Sequence, residues 1–479
     1  MMKHNIHLSE LLDACSYEKD AKLCHQDVVF SRVNTDTRSI QPGDLFVALK
    51  GERFDAHDFA QQAITAGAVA LVVDHQLALD VPQLIVADTR IALGKIAEYN
   101  RRFFNGLLFA ITGSSGKTTV KEMLAEILAG IAGKDQVLAT QGNLNNDIGV
   151  PLTLLRLSPG ERYAVIEMGA SGPNEIGYSA GLAHPDIALV NNAMGAHLEG
   201  FGSLQGVVKA KGEIYDGLTA QGCAVVNLDD QHAQQWLERI GEKGVVKRVV
   251  TFAVNAPNAD VRASDLQLQE NGCYAFTLLH ADTSERVHLK VMGRHNVMNA
   301  LAAAALIIAA GMPLSLAVAG LEKFQAVKGR MCSLPGIAGG RVIDDSYNAN
   351  PGSVKAAIQV LHELQGERVL VLGDMGELGL GAEQMHRDIG QFAAEQKIDQ
   401  LLAVGPLSKA AVEGYQAAQV SMIDGDNAQR VVLKAQHFAD QQSLVAAILP
   451  QLNSDMVVLV KGSRSAGMDK IVTLLTQEV

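Results

Sequence analysis

The run Phe109-Ala110-Ile111-Thr112-Gly113-Ser114-Ser115-Gly116-Lys117-Thr118-Thr119 constrains this chain more than any other stretch. Leu107 to Ile111 reads as an apolar strand and the glycines mark a loop. From Lys117 onward, Val120, Met123, Leu124, Ile127, Leu128 and Ile131 recur at helical spacing. A strand that turns through such a loop into a helix points backbone N–H groups and a helix N-terminus at one place, a cradle for polyphosphate. There Lys117 reaches the outer phosphates and the Thr118 hydroxyl meets a magnesium ion. The full phosphate-loop pattern has a further glycine where this chain has Ile111, leaving the shorter Thr-Gly-x-x-Gly-Lys-Thr. A helix cap rich in small residues is the competing reading.

The flanking sequence supports an α/β architecture in three units. Residues 1–86 form a small α/β module. In it Val33–Arg38, Pro42-Gly43-Asp44 and Leu45–Leu49 read as strand, turn, strand; a helical pattern then starts at His57, and Ala68–Val73 is another strand. Asp88 caps a connecting helix into the central unit, residues 87–330. There Tyr163–Met168 is an apolar strand with an acid near its end. In phosphate-loop proteins the neighbouring strand delivers such a carboxylate to the magnesium, which makes Glu167 a candidate. Ile187–Asn192 is a further strand leading to His197, and Val207–Leu218 a short helix carrying Lys211. By pattern alone His197 and Lys211 read as structural or solvated. The amide-rich loop 141–151 reads as a turn. Asn296 and Asn299, three apart, share a helix face and either cap or hold a ligand such as a purine edge. Residues 331–479 repeat strand, polar loop, helix at Val342, Val369, Leu401 and Val457, the pattern of a mostly parallel sheet with ligand groups at strand C-termini. Gly373, Gly376 and Gly379 are spaced GxxGxxG, which is not the dinucleotide fingerprint.

Composition narrows the class. A chain of 479 residues is too long for one core. With 48% hydrophobic and 19% charged residues it reads as globular, and a net charge of −12 argues against a broad nucleic-acid surface. Cys15, Cys24, Cys223, Cys273 and Cys332 are scattered, with no CxxC pair, as in a reduced cytoplasmic protein. The N-terminus lacks the apolar core of a signal peptide. Ala300–Leu321 carries no charge, but Gly311-Met312-Pro313 breaks it, so two buried helices are expected instead of a membrane span.

Taken together, Thr-Gly-Ser-Ser-Gly-Lys-Thr, Glu-Met-Gly-Ala (167–170), His197 with Phe-Gly-Ser (201–203), Ala-Lys-Gly-Glu-Ile (210–214), Gly-x-His-Asn-x-x-Asn (293–299), Gly-Arg (329–330) and Asp345 resemble the Mur ligases. These are the ATP-dependent amide-forming enzymes of peptidoglycan synthesis. Asp-Ser-Tyr-Asn-Ala-Asn-Pro (345–351), Leu-Gly-Asp-Met-Gly-Glu-Leu-Gly (372–379) and Val-Lys-Gly-Ser-Arg (460–464) resemble the type that joins D-alanyl-D-alanine to UDP-N-acetylmuramoyl-tripeptide. The resemblance implies a UDP-binding first domain, a central ATPase-like domain and a Rossmann-like third. It implies that Thr112, Gly113, Ser114, Ser115, Gly116, Lys117, Thr118 and Thr119 bind ATP, with Asn296 and Asn299 near the adenine and Arg330 and Asp345 on the nucleotide. Two magnesium ions are implied, held by Thr118, Glu167, His197 and Lys211, the lysine as a carbamate. An ammonium repels magnesium, whereas a carbamate is an oxygen ligand. Thr37, Arg38, Asn145 and Asn146 are implied at the UDP-sugar, and Asn348, Asn350 and Lys461 at the cleft. Thr37 stands where many relatives have serine. A monomer with no membrane insertion is expected. Because an acyl phosphate intermediate hydrolyses if water enters, closure of the third domain on substrate binding is expected too. Two other classes remain at this point: a phosphate-loop NTPase acting as switch or motor, and a folate-polyglutamate-type ligase.

Overall fold

The computed structural model describes residues 5–16, 20–51, 54–244, 246, 248–423 and 434–476. Among them, the N-terminal unit is built on a five-stranded sheet ordered Lys22–Cys24, Gln83–Ile85, Ala68–Val73, Asp44–Val47, Arg32–Asn34, parallel except for the first pair. The strand expected over Val33–Arg38 is shorter and ends at Asn34. Polar side chains capture the backbone there: the Asn34 amide oxygen accepts from the Asp36 N–H, and Asp36 accepts from the Arg38 N–H, turning Thr37–Ser39 into a 3-10 turn. The two strands run parallel, and Arg32 fixes their ends through a bidentate pair with Asp44.

The central unit carries a nine-stranded sheet. Its strand Leu107–Thr112 lies inside, between Tyr163–Glu167 and Ile187–Val190, all parallel. The run is nearly all apolar because helices cover both faces. Register pairs Glu167 with Ile111 and Val190 with Thr112, so the three strands deliver their C-terminal loops to one edge. The strand expected to reach Asn192 ends at Val190; the Asn191 N–H still donates to the Thr112 carbonyl and the Asn192 carbonyl accepts from the Ser114 N–H, while both side chains are turned to the loop. Three antiparallel strands, Val261–Leu268, Cys273–His280 and Thr283–Met292, extend the sheet and were not signalled by the motifs. They lead into helix Arg294–Ala309, whose alanines pack against the phosphate-loop helix Lys117–Ala132. A second helix, Leu314–Leu321, follows after Gly311, whose φ of +75° ends the first. Among the described residues no helix is long and apolar enough to cross a membrane.

The C-terminal unit holds a six-stranded sheet ordered Cys332–Pro335, Arg341–Asp345, Met456–Lys461, Glu367–Gly373, Gln400–Val404, Lys434–Phe438, parallel after the first pair. The last strand in sequence, Met456–Lys461, sits between Arg341–Asp345 and Glu367–Gly373, so the loops after Asp345 and Gly373 diverge and open a crevice at the strand C-termini. Asp345 and Lys461 are register partners at that edge.

Candidate active site

The phosphate loop is locked from below by amides. Gly116 has φ +78°, and a Cβ on it would come within 2.4 Å of Asn299 Oδ1 and 2.6 Å of Asn191 Nδ2, so only glycine fits. Asn192 accepts from the Ser115 N–H at 2.9 Å, and Asn191 and Asn192 both donate to the Ser115 carbonyl. The Ser114 hydroxyl donates to the Met194 carbonyl at 3.0 Å. Asn296 and Asn299 form a chain with them: Asn299 Nδ2 donates to Asn296 Oδ1 at 2.9 Å, and Asn299 Oδ1 accepts from Asn191 at 3.1 Å. The pair expected beside the adenine braces the loop. Thr112 lies beneath, its hydroxyl donating to the Met168 carbonyl at 2.7 Å. Thr119 lines the cleft at the first helical turn, where the N–H groups lack intrahelical partners. Lys117 donates to the Gly113 carbonyl at 2.7 Å; burial pulls its pKa down and Glu167 opposes the shift.

Beside the loop, Thr118 donates to Glu167 Oε2 at 2.8 Å, and Asn145 donates to Oε1 at 2.8 Å. Glu167 is only 2% exposed. A hydroxyl and a carboxylate at this spacing, both hard oxygen donors, fit a magnesium ion. His197 stands at the end of the next loop with φ +53° and pairs through Nδ1 with Glu377 of the C-terminal unit. Burial lowers its pKa, with Glu377 acting against it. Lys211, 2% exposed, lies 5.8 Å from the Phe201 ring centroid. Burial first, and the positive charge of Lys117 second, bring its pKa down to about 7. An amine poised there is neutral often enough to attack carbon dioxide.

The opposite wall comes from the C-terminal unit and from Arg330 at the junction leading into it. Arg330 donates to the Thr118 hydroxyl at 2.8 Å and lies 4.3 Å from the Tyr347 ring centroid, a ring that Arg464 also approaches at 5.0 Å. Lys461 pairs with Asp345 Oδ2 at 2.6 Å and donates to the Asn348 carbonyl at 2.9 Å. Asn350 lines the cleft and caps helix Pro351–Glu363 by accepting from the Ser353 N–H. The Asn348 side chain accepts from the Ala349 N–H. His295, whose pKa burial lowers, faces Asp345 and Lys461.

Apart from Thr112, Gly113, Met168, Asn191, Phe201 and Glu377, which lie behind or beside it, the site residues described line one cleft of about 490 Å³, of a size that suits a nucleotide. Asn146 lines it as well, its side chain accepting from the Gly149 N–H. Thr37 and Arg38 do not: Arg38 is held by Asp36 two residues away, and its side chain is 86% exposed. Sequence reasoning passed over Asn191, Asn192, Tyr347, Arg464 and Glu377. Two amides directly after an apolar strand were the signal for the first pair; the others depend on which loops the fold brings together.

Family models match most of the chain: "Mur ligase family, catalytic domain" over residues 29–101, "Mur ligase middle domain" over 111–307 and "Mur ligase, glutamate ligase domain" over 329–464. A UDP-N-acetylmuramoyl-tripeptide--D-alanyl-D-alanine ligase of Escherichia coli (strain K12) is 46% identical over 475 residues, covering 99% of both chains. A crystal structure of MurF from Acinetobacter baumannii aligns with TM-score 0.88 at 36% identity over 98% of each chain. MurF from Thermotoga maritima in complex with ADP aligns with TM-score 0.80 at 26% identity, covering 92% of this chain and 96% of that one.

Proposed function

The chain belongs to the Mur ligase family, and from the cleft just described we propose how it works as a ligase. It adds D-alanyl-D-alanine to UDP-N-acetylmuramoyl-tripeptide with ATP, giving the pentapeptide, ADP and phosphate. The observation that carries the site reading is the Thr118 hydroxyl, gripped between Glu167 and Arg330. It joins the phosphate loop and a strand-end carboxylate to Arg330, the last residue of the central unit, which lies on the Tyr347 ring of the third.

A carboxylate does not condense with an amine at neutral pH because oxide is too poor a leaving group. The tripeptide carboxylate therefore takes the γ-phosphoryl group of ATP, releasing ADP. The amine of D-alanyl-D-alanine adds to the resulting acyl phosphate, and the tetrahedral intermediate expels phosphate and a proton. Phosphoryl transfer is mostly a matter of placement and charge. Lys117 and the loop N–H groups hold the phosphates, Arg330 brings a second cation from the facing wall, and Asn296 and Asn299 keep the loop rigid. Asp345 and Lys461 mark where that wall meets the substrates, with Asn348 and Asn350 beside them. Asn145 and Asn146 carry the UDP-substrate side of the cleft; Thr37 and Arg38, outside the cleft, meet the far end of the UDP-substrate from the first unit. Magnesium, when bound, neutralises crowded phosphate and carboxylate charge. Thr118 and Glu167 would hold one ion, and His197 and a carbamylated Lys211 a second. The low pKa of Lys211 supports carbamylation, since only the neutral amine combines with carbon dioxide.

The units are taken as 1–86, 87–330 and 331–479, acting together as a cytoplasmic monomer with no nucleic-acid partner. The contacts His197–Glu377 and Arg330–Tyr347 support closure of the third unit over the reacting groups. Phosphate release from ATP, measured with UDP-N-acetylmuramoyl-tripeptide, D-alanyl-D-alanine or magnesium omitted in turn, tests the function. Release should require all three and yield a UDP-pentapeptide by mass. Release with ATP and magnesium alone would refute it.

A further inference from the structure

Lys121 is among the largest fully buried side chains of the molecule, 1% exposed, and no step above uses it. It lies three residues after Thr118 on the phosphate-loop helix, so the two share a face. Its Nζ donates to the Thr140 carbonyl at 2.7 Å and pairs with Glu122 at 2.7 Å. Thr140 is buried as well. Its N–H continues the sheet to the Val165 carbonyl, and its hydroxyl accepts the N–H of Glu167 at 2.9 Å. Beyond Thr140 the chain leaves the sheet for the loop that carries Asn145, whose amide donates to Glu167 Oε1. One helix face therefore grips Glu167 twice. Thr118 holds the carboxylate directly. Lys121 holds, through Thr140, both the backbone of Glu167 and the root of the Asn145 loop.

We propose that Lys121 is a positioning residue for the Glu167 carboxylate, fixing Thr140 so that both carboxylate oxygens keep their orientation. This rests on the reading that Glu167 and Thr118 hold magnesium. A buried ammonium is tolerated only where acceptors meet it, and the Thr140 carbonyl and Glu122 do so. Methionine would fill the same volume without donating. The Thr140 carbonyl would then lose its partner and the loop root its anchor.

The test is binding of a fluorescent ADP analogue as a function of magnesium, with steady-state kinetics and thermal melting, on the wild type, Lys121→Met, Thr140→Val and the double variant. Each single variant should raise the magnesium needed for half-maximal binding about tenfold, the low end for loss of a group supporting a metal ligand. kcat should fall while KM for D-alanyl-D-alanine holds. The double variant should be no worse than the poorer single, because both break one route. A Lys121→Met protein with lower Tm but an unshifted magnesium midpoint would overturn the proposal, as would additive effects in the double variant. Should Lys121→Met not fold, Thr140→Val decides alone, an unshifted midpoint overturning the idea. Wild-type binding that ignores magnesium would overturn the proposal together with the metal reading beneath it, and that result is distinct from a shift missing only in the variants.

Discussion

The floor of the cleft and the first unit hold their charges in opposite ways. In the floor, Thr118, Glu167 and Lys211 are buried and Asn145 half-buried, and each carboxylate oxygen of Glu167 already has a donor. In the first unit, Arg38 lies in solvent with its guanidinium on Asp36. Groups fixed beforehand around developing charge need no rearrangement during reaction, and in an enclosed site each counts for more. An exposed ion pair is worth little and is readily exchanged for a ligand. On the proposed function, the floor serves the chemical step and the first unit serves recognition. Damage to the floor should lower kcat, and damage to the first unit should raise KM.

The sharpest way to break this contrast is Lys211→Ala. Activity should fall about 10³-fold, the upper range for loss of one preorganised electrostatic contact, and short carboxylic acids should restore part of it by standing in for the carbamate. Full activity without them would remove Lys211 from the mechanism. Glu167→Gln should cost about 10²-fold in kcat, with a higher magnesium requirement and a nearly unchanged KM for the UDP-substrate; a pure KM effect would erase the distinction drawn here. The pH dependence follows from Lys211. Its folded pKa of about 7 lies below the ordinary lysine value of 10.5. Between those limits the unfolded chain binds the extra proton, so the contribution of Lys211 to stability rises with pH through that window and is absent below it. At fixed dissolved carbon dioxide, activity should likewise decline as pH drops below about 7. A profile flat from pH 6 to 8 in wild type would argue that the lysine is not the titrating group. The smallest effect belongs to the first unit: Arg38→Ala should raise KM for the UDP-substrate roughly three- to fivefold and leave kcat alone.

Much of this was readable beforehand, for local reasons. Strand Leu107–Thr112, its loop and its helix are specified by apolar periodicity and glycine, and both act within a dozen residues. The same holds for Tyr163–Glu167 and for the break at Gly311. What escaped was set by partners distant in sequence. Asn191 and Asn192 read as the end of a strand until the parallel register places them under Ser115. Glu377 is one acid in a glycine-rich loop until the third unit meets His197. Tyr347 gains meaning only when Arg330 and Arg464 converge on its ring. The strand expected through Arg38 failed because Asn34 and Asp36 side chains outcompeted the sheet for local N–H groups.

The Arg330–Thr118 contact also has a consequence for how the protein comes into being. The two residues are separated by 212 positions in the chain. At the usual pace of synthesis, about 5–20 residues per second, a ribosome that has just made Thr118 needs roughly 10–40 s more before Arg330 exists. Throughout that interval the phosphate loop is present without its closing cation, and for most of it without Asn299 behind it. On the proposed reading, the clamp over the phosphate loop is complete only once the central unit has been made to its last residue.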